Sequence, residues 1–202
     1  MELELKKECL DTYELGEPQT LTQEETAETI VPDYCPDIAR IISAEGVVCL
    51  HGGTEQDGVT GTVRVTVLYT PENESGVRAL EFAMPFSAQG EGLAGCAHVV
   101  VETEIELLES RMLNPRKIFT RCKLVTHLTG CRKVCLTISS DAEPDPALLV
   151  EKRCCGQTVS LLRQVAEKDL TFSETMSLSL GREGAAELLH CRANGIVTET
   201  KA

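Results

Sequence analysis

The stretch Gly61-Thr62-Val63-Arg64-Val65-Thr66-Val67-Leu68-Tyr69 decides the fold class. Val63, Val65, Val67 and Tyr69 alternate with Thr62, Arg64 and Thr66, the period of a strand with one buried face. The same period returns downstream. Leu80, Phe82, Met84 and Phe86 alternate, with Pro85 marking an edge strand or a strand end. Val99, Val101, Thr103, Ile105 and Leu107 stand against Glu102, Glu104 and Glu106. Thr120, Cys122, Leu124, Thr126 and Leu128 stand against Arg121, Lys123 and His127, and a further strand is expected through Val134–Ile138. A turn cluster at 71–76, a Gly-rich loop at 90–95 and Asn114-Pro115 separate these runs. Short strands at about ten-residue intervals predict a mainly β, antiparallel sandwich-like domain.

Upstream the period changes. In Pro36-Asp37-Ile38-Ala39-Arg40-Ile41-Ile42, a proline and an acid open a run with isoleucines at i, i+3 and i+4. Proline suits the first helical turn and an acid there complements the dipole, so a short helix is expected at 36–43. Residues 1–30 are an acidic arm, expected to add an edge strand to the first β domain at 31–140. Residues 140–147 read as a linker. Beyond it the chain echoes itself at an offset of 149: Leu21-Thr22 meets Leu170-Thr171, Glu25-Thr26 meets Glu174-Thr175, and Gly46-Val47-Val48 meets Gly195-Ile196-Val197. Residues 149–202 are therefore expected to be a partial or truncated second copy, with a short helical candidate at 184–191.

Composition narrows the function. The chain has 202 residues and a net charge of −13, with 42% apolar and only 3% aromatic residues and no tryptophan. The core must be aliphatic. The acidity disfavours nucleic acid and anionic lipid as partners. No apolar run is long enough to span a membrane, and the amino terminus lacks the pattern of a signal peptide, so a cytoplasmic location is expected.

Charge is uneven along the chain. Residues 1–58 hold fourteen acids against Lys6, Lys7 and Arg40. From Ser110 to Ser140 there is no acid, but there are seven bases: Arg111, Arg116, Lys117, Arg121, Lys123, Arg132 and Lys133. One reading is a solvated strand face that balances the acidic arm of the same molecule. The sharper reading is a docking surface for an acidic partner or a second copy, with Arg121, Lys123, Arg132 and Lys133 as contact residues.

Ten cysteines in a chain read as intracellular are expected to be reduced. Cys122, His127, Cys131 and Cys135 lie within fourteen residues, and zinc takes four such ligands. There is no C-x-x-C knuckle, however, and in a strand Cys122 and His127 point to opposite faces. Buried thiols are the better reading, and no metal or cofactor is expected. No phosphate loop, nucleophile elbow or H-E-x-x-H occurs, and the carboxylates of Asp33 and Asp37 have structural work at a helix start. The chain is read as a non-enzyme. A carbohydrate-binding sandwich and a thiol-based metal or redox sensor are the alternatives.

Pro32-Asp33-Tyr34-Cys35-Pro36-Asp37-Ile38-Ala39-Arg40-Ile41-Ile42, the strand Gly61–Tyr69, Met84-Pro85-Phe86-Ser87 and the opening Glu4-Leu5-Lys6-Lys7-Glu8 together resemble the SPOCS-domain (SipL-like) family of clostridial sporulation proteins. The likeness covers about residues 1–135, and no LysM-like segment accompanies it. It implies a mother-cell protein at the forespore surface that helps assemble the spore coat by protein–protein contacts. The implied partner is the coat morphogenetic ATPase SpoIVA. On that likeness Asp33, Pro36, Asp37 and Arg40 join the candidate partner-binding residues.

Overall fold

The computed structural model describes residues 4–51 and 58–143, together with scattered positions between 151 and 191. Seven strands make up the domain: β1 (Glu4–Leu15), β2 (Gln19–Ile30), β3 (Ile38–His51), β4 (Gly58–Pro71), β5 (Arg78–Gln89), β6 (His98–Asn114) and β7 (Lys117–Glu143). All pairings are antiparallel. One sheet runs β3-β4-β5. In the other, β7 is the spine, with β6 along one edge and β1 and β2 end to end along the opposite edge. The mainly β architecture is the one the alternation predicts. Pro85 sits on β5, at the edge of its sheet, the kind of strand where proline is tolerated.

The core lies between the sheets. Val63, Val65, Val67 and Tyr69 of β4 and Leu80, Met84 and Phe86 of β5 meet Ile118, Cys122 and Leu124 of β7. Burying an aliphatic side chain contributes roughly 1.5–3 kcal/mol, and with so few aromatics the valines carry the packing. The sheets approach closely at Gly46: a Cβ there would lie 2.8 Å from Ile105 Cδ1 and 3.1 Å from Leu108 Cδ2. A second, smaller cluster joins Val59, Leu93 and Leu128.

Two expectations change. The helix placed at 36–43 is absent, and the chain is extended from Ile38. The register of β3 against β4 slips between Ile38 and Arg40 and again between Ile41 and Ser43. Each slip adds a residue, so Ile38, Ile41 and Ala44 all reach the core at a spacing of three. Two bulges thus imitate helical periodicity, and Ile42, assigned to the same helical face, is exposed. The runs at 120–128 and 134–138 are one continuous strand of 27 residues, because nothing between them forces a turn. The arm at 1–30 lies along one edge of the spine sheet. It forms two strands of the spine sheet, and its Ala27 packs on the core. The second copy at 149–202, with its helical candidate, falls largely outside the described residues.

Candidate docking surface

The loop 31–37 joins the two sheets, and Arg116 in the β6–β7 turn buckles it. Arg116 Nη2 donates to the Val31 carbonyl (2.8 Å) and to Asp33 Oδ1 (3.1 Å). Its Nη1 donates to the Cys35 carbonyl (2.8 Å) and to Asp37 Oδ1 (2.9 Å). The rigid guanidinium fork serves four acceptors at once, which a lysine cannot do. Backbone bonds complete the buckle: Val31 N–H to Arg116 O (2.9 Å), Ile38 N–H to Pro115 O (2.9 Å) and Glu72 N–H to Asp37 O (2.7 Å). The Tyr69 hydroxyl donates to Pro36 O (3.3 Å), and burial, then the neighbouring Cys35, raises its pKa above the usual value of 10.0. Asp33, Pro36 and Asp37 are thus held in a structural knot. Arg40 stands exposed on β3 with no ion-pair partner among the described residues.

The knot presents Tyr34. Its side chain is 88% exposed, between prolines whose carbonyls are hydrogen-bonded. Ile30, 72% exposed, ends β2 beside it in sequence, and Met112 and Leu113 lie exposed at the end of β6. Ile30 pairs in register with Lys117 and Met112 with Ile118, so these residues share one end of the molecule. Tyr34 was not among the sequence candidates. The signal was an aromatic between two turn prolines, where a core role is unusual.

The seven bases of 111–133 are used within the chain. Arg121 pairs with Glu24 at 2.6 Å, Lys123 with Glu106 at 2.9 Å, Lys133 with Asp11 at 3.0 Å, and Lys117 with Glu28. Arg132 donates to the Gly92 carbonyl at 2.6 Å, and Arg111 lies over the Phe119 ring at 4.8 Å. Glu24 holds the Arg121 guanidinium, and Asp11 the Lys133 ammonium, above their usual pKa values. The basic stretch and the acidic arm are register neighbours in one sheet, so the self-balancing reading is the arrangement found.

The four-residue metal set does not assemble. Cys135 is disulfide-bonded to Cys9, with Cα atoms 5.6 Å apart. This corrects the expectation of reduced thiols at these two positions: the partners are 126 residues apart in sequence, and only the β1–β7 register brings them together. Cys122 points into the core, where burial pushes its thiol up to about 11, away from the thiolate a metal needs. The His127 ring faces the other way and bonds Thr20 Oγ1 at 3.0 Å. Among the described residues, no group of three or more His, Cys, Asp or Glu side chains is placed to hold a metal.

A further cleft of about 610 Å³ opens on the outer face of β3-β4-β5, where Glu45, Arg64, Glu81 and His190 line it. His190 Nε2 is 3.2 Å from Glu45 Oε2. Among the described residues no helix is long and apolar enough to cross a membrane.

Comparison with known proteins adds no relative: no family model, no curated protein and no solved structure matches the chain. The likeness to the SPOCS family therefore rests on the motif residues alone. What the geometry defines by itself is a class: a two-sheet β domain whose inter-sheet loop is pinned to display an aromatic side chain.

Proposed function

We propose that this chain is a non-enzymatic adaptor that docks a protein partner in assembly of the endospore coat. The observation that carries the reading is the rigid display of Tyr34. A solvent-exposed tyrosine on an already ordered loop loses little conformational entropy on binding, and tyrosine is enriched among residues that dominate interface energetics. Ile30, Met112 and Leu113 expose further apolar surface at the same end of the molecule. The sporulation setting comes from the SPOCS resemblance, as does the candidate partner, the coat-base ATPase SpoIVA. In this reading the chain works in the mother-cell cytosol at the forespore surface.

The pinned motif residues act indirectly: Asp33, Pro36 and Asp37 shape the loop, and Tyr34 makes contact. The test is localisation of a fluorescent fusion in sporulating cells, with and without the coat-base ATPase. Forespore recruitment that needs the ATPase and falls severalfold in Tyr34→Ala supports the adaptor. Diffuse signal in both strains, or recruitment indifferent to Tyr34→Ala, overturns it.

A further inference from the structure

β1 is held differently from β2, which follows it along the same edge of β7. β2 sends Ala27 to the main core and Leu21 to the smaller apolar cluster. Among the described residues, none of 4–15 or 131–143 belongs to either cluster. Leu5, Leu15 and Leu136 are exposed, as are residues 5–9 and 135–137. Apolar burial therefore contributes little to keeping β1 in place. What keeps it is the backbone ladder to β7, the exposed Asp11–Lys133 pair, which solvent screens, and the Cys9–Cys135 disulfide.

These ties are unevenly placed. At one end of β1, Gly16 N–H donates to Gly130 O at 2.8 Å, and the Leu162 carbonyl accepts from Tyr13 N–H at 3.1 Å and from Thr12 Oγ1 at 3.0 Å. Toward the amino terminus the covalent tie is the disulfide. Cys9 stands opposite Thr137 and Asp11 opposite Cys135, so the two cysteines are diagonal neighbours on one face of the sheet. β6 pairs with β7 only as far as Cys131. Among the described residues, 4–11 and 135–143 are thus a two-stranded ribbon, an arrangement that is marginal in water. A covalent bond between its strands raises the effective concentration of each for the other.

We infer that the Cys9–Cys135 disulfide is a redox-sensitive clamp, whose reduction releases residues 4–11 from β7 about the segment Thr12–Gly16 and leaves the two-sheet core intact. Both cysteines are exposed, so a dithiol reductant reaches them. Its thiolate attacks one sulfur, the Sγ–Sγ bond breaks, and a mixed disulfide forms as the other cysteine departs as thiolate. The second thiol of the reductant then displaces the first cysteine. Two electrons and two protons pass to the chain, which ends with two thiols, and the reductant ends as a disulfide. A small disulfide oxidant reverses the exchange. Release uncovers the edge of β7 that β1 covers, including Val134–Ser140, which carries no charge and no proline. An edge without those guards is a template for another strand. Tyr34 takes no part in the device, which stands apart from the adaptor reading.

Amide hydrogen exchange of the full chain tests the inference, measured oxidised, after dithiothreitol, and again after glutathione disulfide. Reduction is expected to speed exchange in 4–11 and 135–143 at least about tenfold, while residues 63–69 and 118–124 stay within about twofold. Glutathione disulfide restores the slow exchange. The double variant Cys9→Ser with Cys135→Ser exchanges like the reduced parent and ignores dithiothreitol. Unchanged exchange in 4–11 on reduction overturns the inference. So does equal acceleration through the core, or an effect of dithiothreitol on 4–11 that persists in the double variant. Should the double variant fail to fold, the cycle of reduction and reoxidation on the parent decides alone. The Tyr34 recruitment assay reads a different surface, so the two readings fail separately.

Discussion

Replacing Arg116 with alanine removes the side chain that ties the inter-sheet loop to the β6–β7 turn. Its two bonds to the Val31 and Cys35 carbonyls are charge-assisted and short, 2.8 Å each. At the low end for such bonds they contribute about 1.5 kcal/mol apiece. The pair with Asp37 is half exposed and adds under about 1 kcal/mol. The pair with the fully exposed Asp33 counts for nothing. The expected loss is about 3–4 kcal/mol. With a slope near 2 kcal/mol per molar, the urea midpoint falls by about 1.5–2 M. Arg116→Lys keeps the charge but not the fork, and recovers less than half of the loss. The measurement is equilibrium urea unfolding followed by circular dichroism. A midpoint within about 0.3 M of the parent for Arg116→Ala refutes the claim that this residue holds the loop.

Other perturbations follow from the same geometry. Cys122 is neutral in the fold, its pKa raised from 9.0 to about 11, so its stabilising contribution is full below pH 9 and is lost as pH rises through about 11. Cys122→Ala costs about 1 kcal/mol at neutral pH, and unfolding curves show that gap narrowing between pH 9 and 11; a constant gap refutes the assignment. Gly46→Ala forces a Cβ against Ile105 and Leu108 and lowers stability by about 1–3 kcal/mol in thermal unfolding, whereas an unchanged melting temperature means the sheets are not in contact there. Non-reducing peptide mapping finds Cys9 linked to Cys135, and reduction lowers stability by about 2–4 kcal/mol, with amide exchange accelerating first in 4–15 and 132–143; a uniform acceleration through the core counts against a local clamp. Arg121→Glu opposes Glu24 at an exposed site, where solvent screens the pair, so the urea midpoint stays close to the parent's; a clear fall shows that the pair does more than balance charge.

Strand identity in β4, β5, β6 and β7 was legible because a period of two is a local property. Val63 and Val65 alternate with threonine and arginine whatever lies across the sheet, and the aliphatic core follows from composition. The same local logic failed at Ile38, Ile41 and Ile42, because a bulge is a mismatch with a partner strand and leaves its trace only in β4. Nor does any residue between Leu128 and Val134 announce that β7 continues, since continuity depends on β1 and β2 lying along it.

The candidate residues divide on the same line. Sequence alone determined that an acidic arm and a basic stretch coexist, and that a proline-bracketed motif precedes β3. Tertiary structure decided that arm and stretch are neighbours, setting Glu24 beside Arg121 and Asp11 beside Lys133 across about a hundred residues of chain. It also assigned Arg116 to the loop and Cys9 to Cys135. Each of these is a pairing between distant segments. Propensity and periodicity describe a residue's own few neighbours, whereas register across a sheet is set by how every strand packs on the common core.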